Sequence, residues 1–309
     1  AGRVLHPPPR HGLAASWVRT PDRDPGAAAP WASMGEFLTD RLATHVPVAD
    51  LLEAGAFVDA RGRPWRGSDP YRPNAFVWFH RPLRPEPPVP GELRVLHRDD
   101  RIVVVDKPHF LASTPRGSHV AESVVARLRV ALGLPDLVPA HRLDRLTAGV
   151  LVLTVERAHR GAYAGVFARR AAEKTYEAIA PHRADLALPR VLSGRIEKRR
   201  GRLQAELVPG EPNAETRVDL VEARGAWARY RLRPTTGKTH QLRLQLAALG
   251  LPIHGDPLYP EVRDVAPDDF STPLALVARR LRFSDPVDGA PRDFTSGVPL
   301  PWPDSPGAR

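Results

Sequence analysis

The chain has 309 residues, 42% of them apolar, with a net charge of +10, a pI near 10.6 and no cysteine. That length buries a real core and accommodates a large domain plus a small one, the apolar fraction excludes a disordered polymer, and the lack of cysteine excludes disulfides, thiolate metal sites and a cysteine nucleophile. The positive surplus favours a polyanionic partner, because Arg and Lys displace the counterions condensed on phosphates.

Residues 1–33 read as an irregular arm, with Pro7, Pro8 and Pro9 and a Pro/Gly/Ala stretch from Pro21 to Pro30. Phe37, Leu38 and Leu42 then predict a helix, and Val48, Leu51 and Leu52 a second one stopped at Gly55. Arg61-Gly62-Arg63-Pro64 marks a turn and Phe76 to Phe79 a strand. Residues 34–80 are thus a small module that either binds RNA or extends the main domain. Five prolines between Arg81 and Glu92 make residues 81–92 a stiff linker. The main domain is expected over 93–303, with a short tail at 304–309. Its predicted strands are Ile102 to Val105, Gly149 to Val155, Lys174 to Ala180, a pair within Arg217 to Arg233, and Leu274 to Phe283. Its predicted helices are Ala121 to Leu132, His159 to Ala172, and Thr239 to Leu249 with Leu242, Leu246 and Leu249 on one face. Strands in runs, broken by irregular helices, predict an α+β fold with a mixed, largely antiparallel sheet flanked by helices. No run reaches the eighteen or so apolar residues of a membrane helix, and the start of the chain carries no signal-like apolar stretch. No membrane association, a cytoplasmic location and a monomer are the default expectations.

Three segments carry polar groups suited to chemistry. In the first, His141-Arg142-Leu143-Asp144-Arg145-Leu146-Thr147 runs straight into a buried strand, where a rigid sheet can present a carboxylate from a loop. On residue chemistry alone, an Asp between two arginines is more often a salt-bridged surface residue. In the second, Thr236-Gly237-Lys238-Thr239-His240-Gln241-Leu242-Arg243 opens a helix. A P-loop needs a Gly five residues before Gly237, and Leu232 stands there, so a nucleotide hydrolase is rejected. What remains is a turn where backbone N–H groups and a Lys meet an RNA phosphate; Arg243, off the leucine stripe, reads equally as a solvated helix charge. In the third, Lys174-x-Tyr176 places a tyrosine that stacks on a base or belongs to the core. Lys occurs at four positions only, Lys107, Lys174, Lys198 and Lys238; two of them fall in these segments and Lys107 stands at the end of the predicted strand from Ile102. In a chain where Arg is the default cation, that hints at a need for a compact ammonium.

His141-Arg142-Leu143-Asp144, Lys174-x-Tyr176, Thr236 to Arg243 and Gly255-Asp256-Pro257-Leu258-Tyr259 occur in this order, flanked by Asp106-Lys107-Pro108 and by Pro273 to Leu276. Together they resemble the motif set of the RluA-type RNA pseudouridine synthases, from about Leu93 to about Pro301. The resemblance implies the pseudouridine synthase fold, with residues 34–80 in the place of an S4-like RNA-binding module. It implies isomerisation of specific uridines in structured RNA, ribosomal or transfer, to pseudouridine. Asp144 matches the catalytic aspartate, Tyr176 the active-site tyrosine and Arg243 the arginine that pairs with the aspartate. His141, Arg142, Lys238 and His240 become candidates to hold the RNA. Four positions depart from the usual pattern: Lys238 for Arg, Gln245 for His, Val277 for His and Ala148 for Ser.

The implied reaction breaks the N1–C1′ bond and re-forms the glycosidic bond at C5. No electrons are transferred and no group is lost, so no cofactor and no metal are expected. Two readings of other classes compete. A non-catalytic RNA-binding protein would be expected to lack the trio Asp144, Tyr176 and Arg243, and a glycosidase would pair Asp144 with a second carboxylate such as Asp256 across a sugar. A serine hydrolase lacks its Gly-x-Ser-x-Gly elbow.

Overall fold

A computed structural model describes residues 7–22, 30–117 and 119–303. The tail at 304–309 and part of the N-terminal arm lie outside the described residues. The chain divides into two compact units, 1–85 and 86–309. Among the described residues, no helix is long and apolar enough to cross a membrane.

The first unit contains a strand inside the stretch expected to be irregular. β1 (Ser16–Arg19) pairs antiparallel with β2 (Phe76–Phe79), while α1 (Met34–Arg41) and α2 (Val48–Glu53) lie between them in sequence. Ser33 caps α1, accepting a bond from the Glu36 N–H through its hydroxyl. The unit has its own core of Met34, Phe37, Leu38, Phe57, Trp65, Val77 and Phe79.

The second unit starts within the proline-rich stretch. Glu86 accepts bonds from the N–H groups of Val120, Ala121 and Glu122, and Val89 is buried in the main core. The linker reading therefore holds no further than Pro85, because the Glu86 carboxylate satisfies the backbone ahead of the next helix. The strands are β3 (Arg94–Arg98), β4 (Ile102–Lys107), β5 (Val138–Pro139), β6 (Ala148–Thr154), β7 (Glu173–Pro181), β8 (Arg190–Glu197), β9 (Glu206–Val208), β10 (Ala214–Arg224), β11 (Trp227–Pro234), β12 (Leu276–Ser284) and β13 (Pro291–Thr295). The helices are α3 (Val124–Leu132), α4 (Arg160–Ala168) and α5 (Gln241–Ala248). One sheet runs β3-β4-β6-β12-β7-β11-β10-β8-β9, with β13 on β12 and β5 on β6. Every pairing is antiparallel except β12 with β6. This is the mixed, largely antiparallel α+β sheet expected from the sequence.

The single parallel pairing is where the sheet presents its loops. Gly149 sits there at φ 115°, opposite Ala278, and a Cβ on it would lie 2.3 Å from the Ala278 carbonyl oxygen. Only glycine permits that approach and that backbone conformation. β6 is buried at all seven positions, so the loop entering it, 140–147, is anchored on a rigid strand.

Candidate active site

Asp144 stands in the loop between β5 and β6, and four attachments fix that loop. The Ser113 hydroxyl donates to the Leu143 carbonyl (2.8 Å) and accepts from the Leu143 N–H (3.2 Å). The Lys107 ammonium donates to the carbonyls of Pro108, Leu111 and Arg145 at 3.1, 2.7 and 3.1 Å. His109 Nδ1 donates to the Leu146 carbonyl at 2.9 Å. Thr147 N–H closes the turn onto the Asp144 carbonyl at 3.1 Å. Leu143 and Leu146 bury their side chains on either side, leaving Asp144 pointing outward with its side chain 33% exposed. Lys107 is fully buried, and burial pushes its amine down to about 7 against an opposing pull from the Asp144 charge. The lysine thus ends β4 by satisfying three carbonyls behind the carboxylate, a use of all three ammonium donors.

Arg243, in α5, reaches Asp144 with NH1 3.7 Å from Oδ2. Its stronger partner is Asp256, met through Nε at 2.8 Å and NH2 at 2.6 Å in a bidentate fork. The reading of Arg243 as a solvated helix charge is overturned: its side chain is 2% exposed and that of Asp256 0%. Burial opposes the charge of Arg243, but Asp256 and then Asp144 outweigh it and raise its pKa above the ordinary value. Asp256 also accepts from the N–H groups of Leu258 and Tyr259 (2.8 and 3.2 Å). With both oxygens occupied and no exposure, Asp256 has no face to offer a sugar, which removes the two-carboxylate glycosidase arrangement. Sequence reasoning placed Asp256 in a motif but missed this role; the signal was the fixed Gly-Asp-Pro-Leu-Tyr run itself. Tyr259 lies under the Arg243 guanidinium (5.4 Å to the ring centroid), and its hydroxyl meets His240 Nδ1 at 3.0 Å.

Tyr176, on β7, lines the same cleft of about 690 Å3 as Asp144, Arg243, His141, Arg142, Lys238 and His240. All seven expected residues are therefore brought together. A second cleft of about 1000 Å3 adjoins it and shares Asp144, Arg142, His240 and Arg243. Its wall carries Arg116, Arg142, Arg145, Lys198, Arg202 and Arg263, so the carboxylate sits between two basic depressions. Tyr176 packs partly against the core; burial first, and the Asp144 charge second, push its phenol well above the ordinary value. It remains a neutral phenol at neutral pH.

The expected RNA-holding residues separate into two kinds. Arg142 and Lys238 are exposed and present their charges to solvent. His141 is not a cation in waiting: its Nε2 accepts the Val152 N–H at 3.2 Å, its ring stacks on Phe167 at 4.2 Å, and burial pushes it down to about 3. His240 is half-buried on Tyr259, and burial lowers its pKa too. Both rings stay neutral near pH 7 and act as fixed walls.

A buried polar chain holds the α5 turn. The Gln241 amide oxygen accepts from the Thr236 hydroxyl (2.8 Å) and the Lys238 N–H (3.0 Å), while its NH2 donates to the Glu215 carbonyl (3.0 Å) and the Thr216 hydroxyl (2.9 Å). Gln245, at a position where the family often has His, accepts from the Thr216 hydroxyl (2.7 Å) and donates to the Leu192 carbonyl (3.2 Å). Two further departures, Ala148 and Val277, are register partners across the parallel pairing and both are fully buried. With both positions apolar, neither leaves a polar group unpaired in the interior. Among the described residues, no group of three His, Asp or Glu side chains could hold a metal ion.

A mixed sheet that presents an outward carboxylate beside a buried arginine, between two basic clefts, suits an enzyme acting on a polyanion. The family described as RNA pseudouridylate synthase matches residues 101–248. A dual-specificity RNA pseudouridine synthase RluA of Escherichia coli is 34% identical over 223 residues, covering 67% of this chain and 97% of that protein. A protein of the same name from Haemophilus influenzae is 30% identical over 219 residues, covering 68% and 95%. The solved structure of human RNA pseudouridylate synthase domain containing 4 aligns with a TM-score of 0.52 at 23% identity, over 67% of this chain and 88% of that one; it bears on the fold. This chain belongs to the RluA-type RNA pseudouridine synthases, isomerases of uridine in RNA.

Proposed function

We propose that this enzyme converts specific uridines of structured ribosomal or transfer RNA to pseudouridine, using Asp144 on a flipped-out nucleotide. The observation that carries the reading is the Asp144 carboxylate, outward-facing between two basic clefts and backed by the buried Arg243–Asp256 pair. A target base cannot react while stacked, so it enters the cleft at a cost of a few kcal/mol, roughly the unstacking energy. Arg142 and Lys238, with the arginines of the adjoining cleft, offset that cost through phosphates. Asp144 then acts on C1′, as nucleophile or by stabilising developing positive charge, while Arg243 fixes its orientation. The Tyr176 ring holds the freed uracil as it turns to present C5. As C1′ bonds to C5 and its link to Asp144 is released, the C5–H bond breaks and N1 takes up a proton, so the isomerisation neither gains nor loses a proton overall; Tyr176, beside the uracil, assists the loss of the C5 proton. The reading takes the enzyme to work as a monomer in the cytoplasm. The relatives named for dual specificity are a reason to test more than one class of RNA.

The test is a carbodiimide-based pseudouridine map of total RNA from cells lacking the gene, incubated with wild type or Asp144→Ala. A signal made only by the wild type is expected and identifies the uridine. Robust formation by Asp144→Ala overturns the assignment.

A further inference from the structure

The aromatic face of the N-terminal unit has no part in the site just described. Side chains alternate across strands, and paired residues share a face. Val77 and Phe79 point into the core, with Val18 packed against it. The opposite face carries Trp17 against Trp78 and Arg19 against Phe76. Trp17 is 56% exposed, the one aromatic among the exposed large apolar side chains of the described residues. Its ring lies 5.5 Å from Phe76 and 6.2 Å from Trp78, and Phe76 and Trp78 stack at 6.1 Å with 18° between planes. The Arg19 guanidinium lies 5.7 Å over Phe76 and donates to the Asn74 amide oxygen at 2.8 Å. His80 follows β2, and burial first, then the charge of Arg10, lowers its pKa. No Asp or Glu occurs at the β1 and β2 positions of this face, and the nearby Asp22 is engaged by the Asn74 amide nitrogen.

An exposed tryptophan on a layered aromatic surface is a mark of binding. The exposed Trp17 ring, tilted 59° and 51° against the half-buried Phe76 and the buried Trp78 and flanked by the Arg19 guanidinium, fits an unpaired nucleobase, whose face stacks on the indole while its phosphate meets the cation. A protein partner would be expected to bring hydrophobic area without needing that positive edge. We propose that the outer face of β1–β2, centred on Trp17, is a stacking platform for unpaired bases of the RNA that the enzyme modifies. The inference rests on the reading of the chain as an RNA-modifying enzyme. The platform takes bases by their faces and is therefore tolerant of sequence and selective for single strands over duplex.

The test uses the full chain and a fluorescein-labelled, uridine-free RNA dodecamer, single-stranded or annealed to its complement, followed by anisotropy. Wild type is expected to prefer the single strand, and Trp17→Ala to bind it about tenfold more weakly, within the range of one stacked base. Trp17→Phe should restore most of the affinity. Arg19→Ala should flatten the log–log salt dependence by about 0.7, the effect of one phosphate contact on a single strand. Equal affinities of wild type and Trp17→Ala overturn the platform. So does a Trp17-dependent dimer in sedimentation without a Trp17-dependent RNA affinity, which would assign the face to a second copy. Pseudouridine assays of the same enzyme preparations on total RNA from cells lacking the gene separate the two readings. Turnover with Trp17-independent binding removes the platform alone, whereas Trp17-dependent binding without turnover removes the proposed reaction and leaves the platform standing.

Discussion

At the scale of single residues, the site is built around a cation shared by two carboxylates of unlike duty. Asp256 takes the bidentate fork and the buried position; Asp144 takes the longer contact and the solvent. Removing Asp256 strands a guanidinium in the interior, so Asp256→Ala is expected to lose about 3–5 kcal/mol of stability and to lower kcat further by letting Arg243 swing. Thermal melts and steady-state kinetics check both effects, and a variant with wild-type stability would contradict the arrangement. The buried imidazoles make a second prediction. Burial holds His109 near 4 and His141 near 3, below the usual value of 6.5. The unfolded chain therefore binds more protons than the folded one between those values and 6.5. Their contribution to stability is whole above about pH 6.5 and is lost as pH falls toward 4 and then 3. His109→Gln and His141→Gln keep a bonding group in place without titrating. Tm measured from pH 7 to pH 4 should decline less steeply in each, and an identical decline would show that these rings do not titrate as described.

At the scale of elements, the strands on which the site stands were legible and several of their partners were not. Asp144, Tyr176 and Arg243 were placed on a loop before a strand, on a strand and on a helix, and they stand there. β6 and β7 announce themselves by length and apolar content. β1, β3, β8 and β13 do not: they are short or strewn with arginines, and β1 pairs with a strand almost sixty residues later, a relation that local pattern does not carry. Helix α3 begins at Val124, after the cap at Ser123, where periodicity suggested Ala121. Helix α5 shows the limit of one-sided amphipathicity. Its leucine stripe faces the core as expected, but its polar face is covered by the Asp256 loop and by the Gln241 and Gln245 network, so Arg243 is buried where the pattern suggested water. The parallel pairing yields the prediction that belongs here. Gly149→Ala forces a methyl group onto the Ala278 carbonyl and imposes a disfavoured backbone angle. A loss of about 2–4 kcal/mol is expected, a Tm lower by roughly 5–15 °C, together with reduced turnover because the Asp144 loop runs into that strand. Differential scanning calorimetry with a parallel activity assay decides it.

At the scale of the whole molecule, composition pointed to the partner class and motif order to the family, while the N-terminal unit was legible only in outline. Its two helices could be read, but its aromatic surface could not, because Trp17 gains meaning only when paired with Trp78. The scarcity of lysine has a use at this scale. Lys107 is enclosed with each of its donors on a carbonyl, whereas Lys198 and Lys238 stand in solvent and Lys174 is half-shielded. Its three carbonyl partners and its full burial keep the Lys107 amine out of reach of any reagent while the fold is closed. Brief acetylation followed by mass spectrometry should mark Lys198 and Lys238 and spare Lys107 until the loops it clasps come apart. Its acylation would then serve as a chemical clock for the opening of the Asp144 loop.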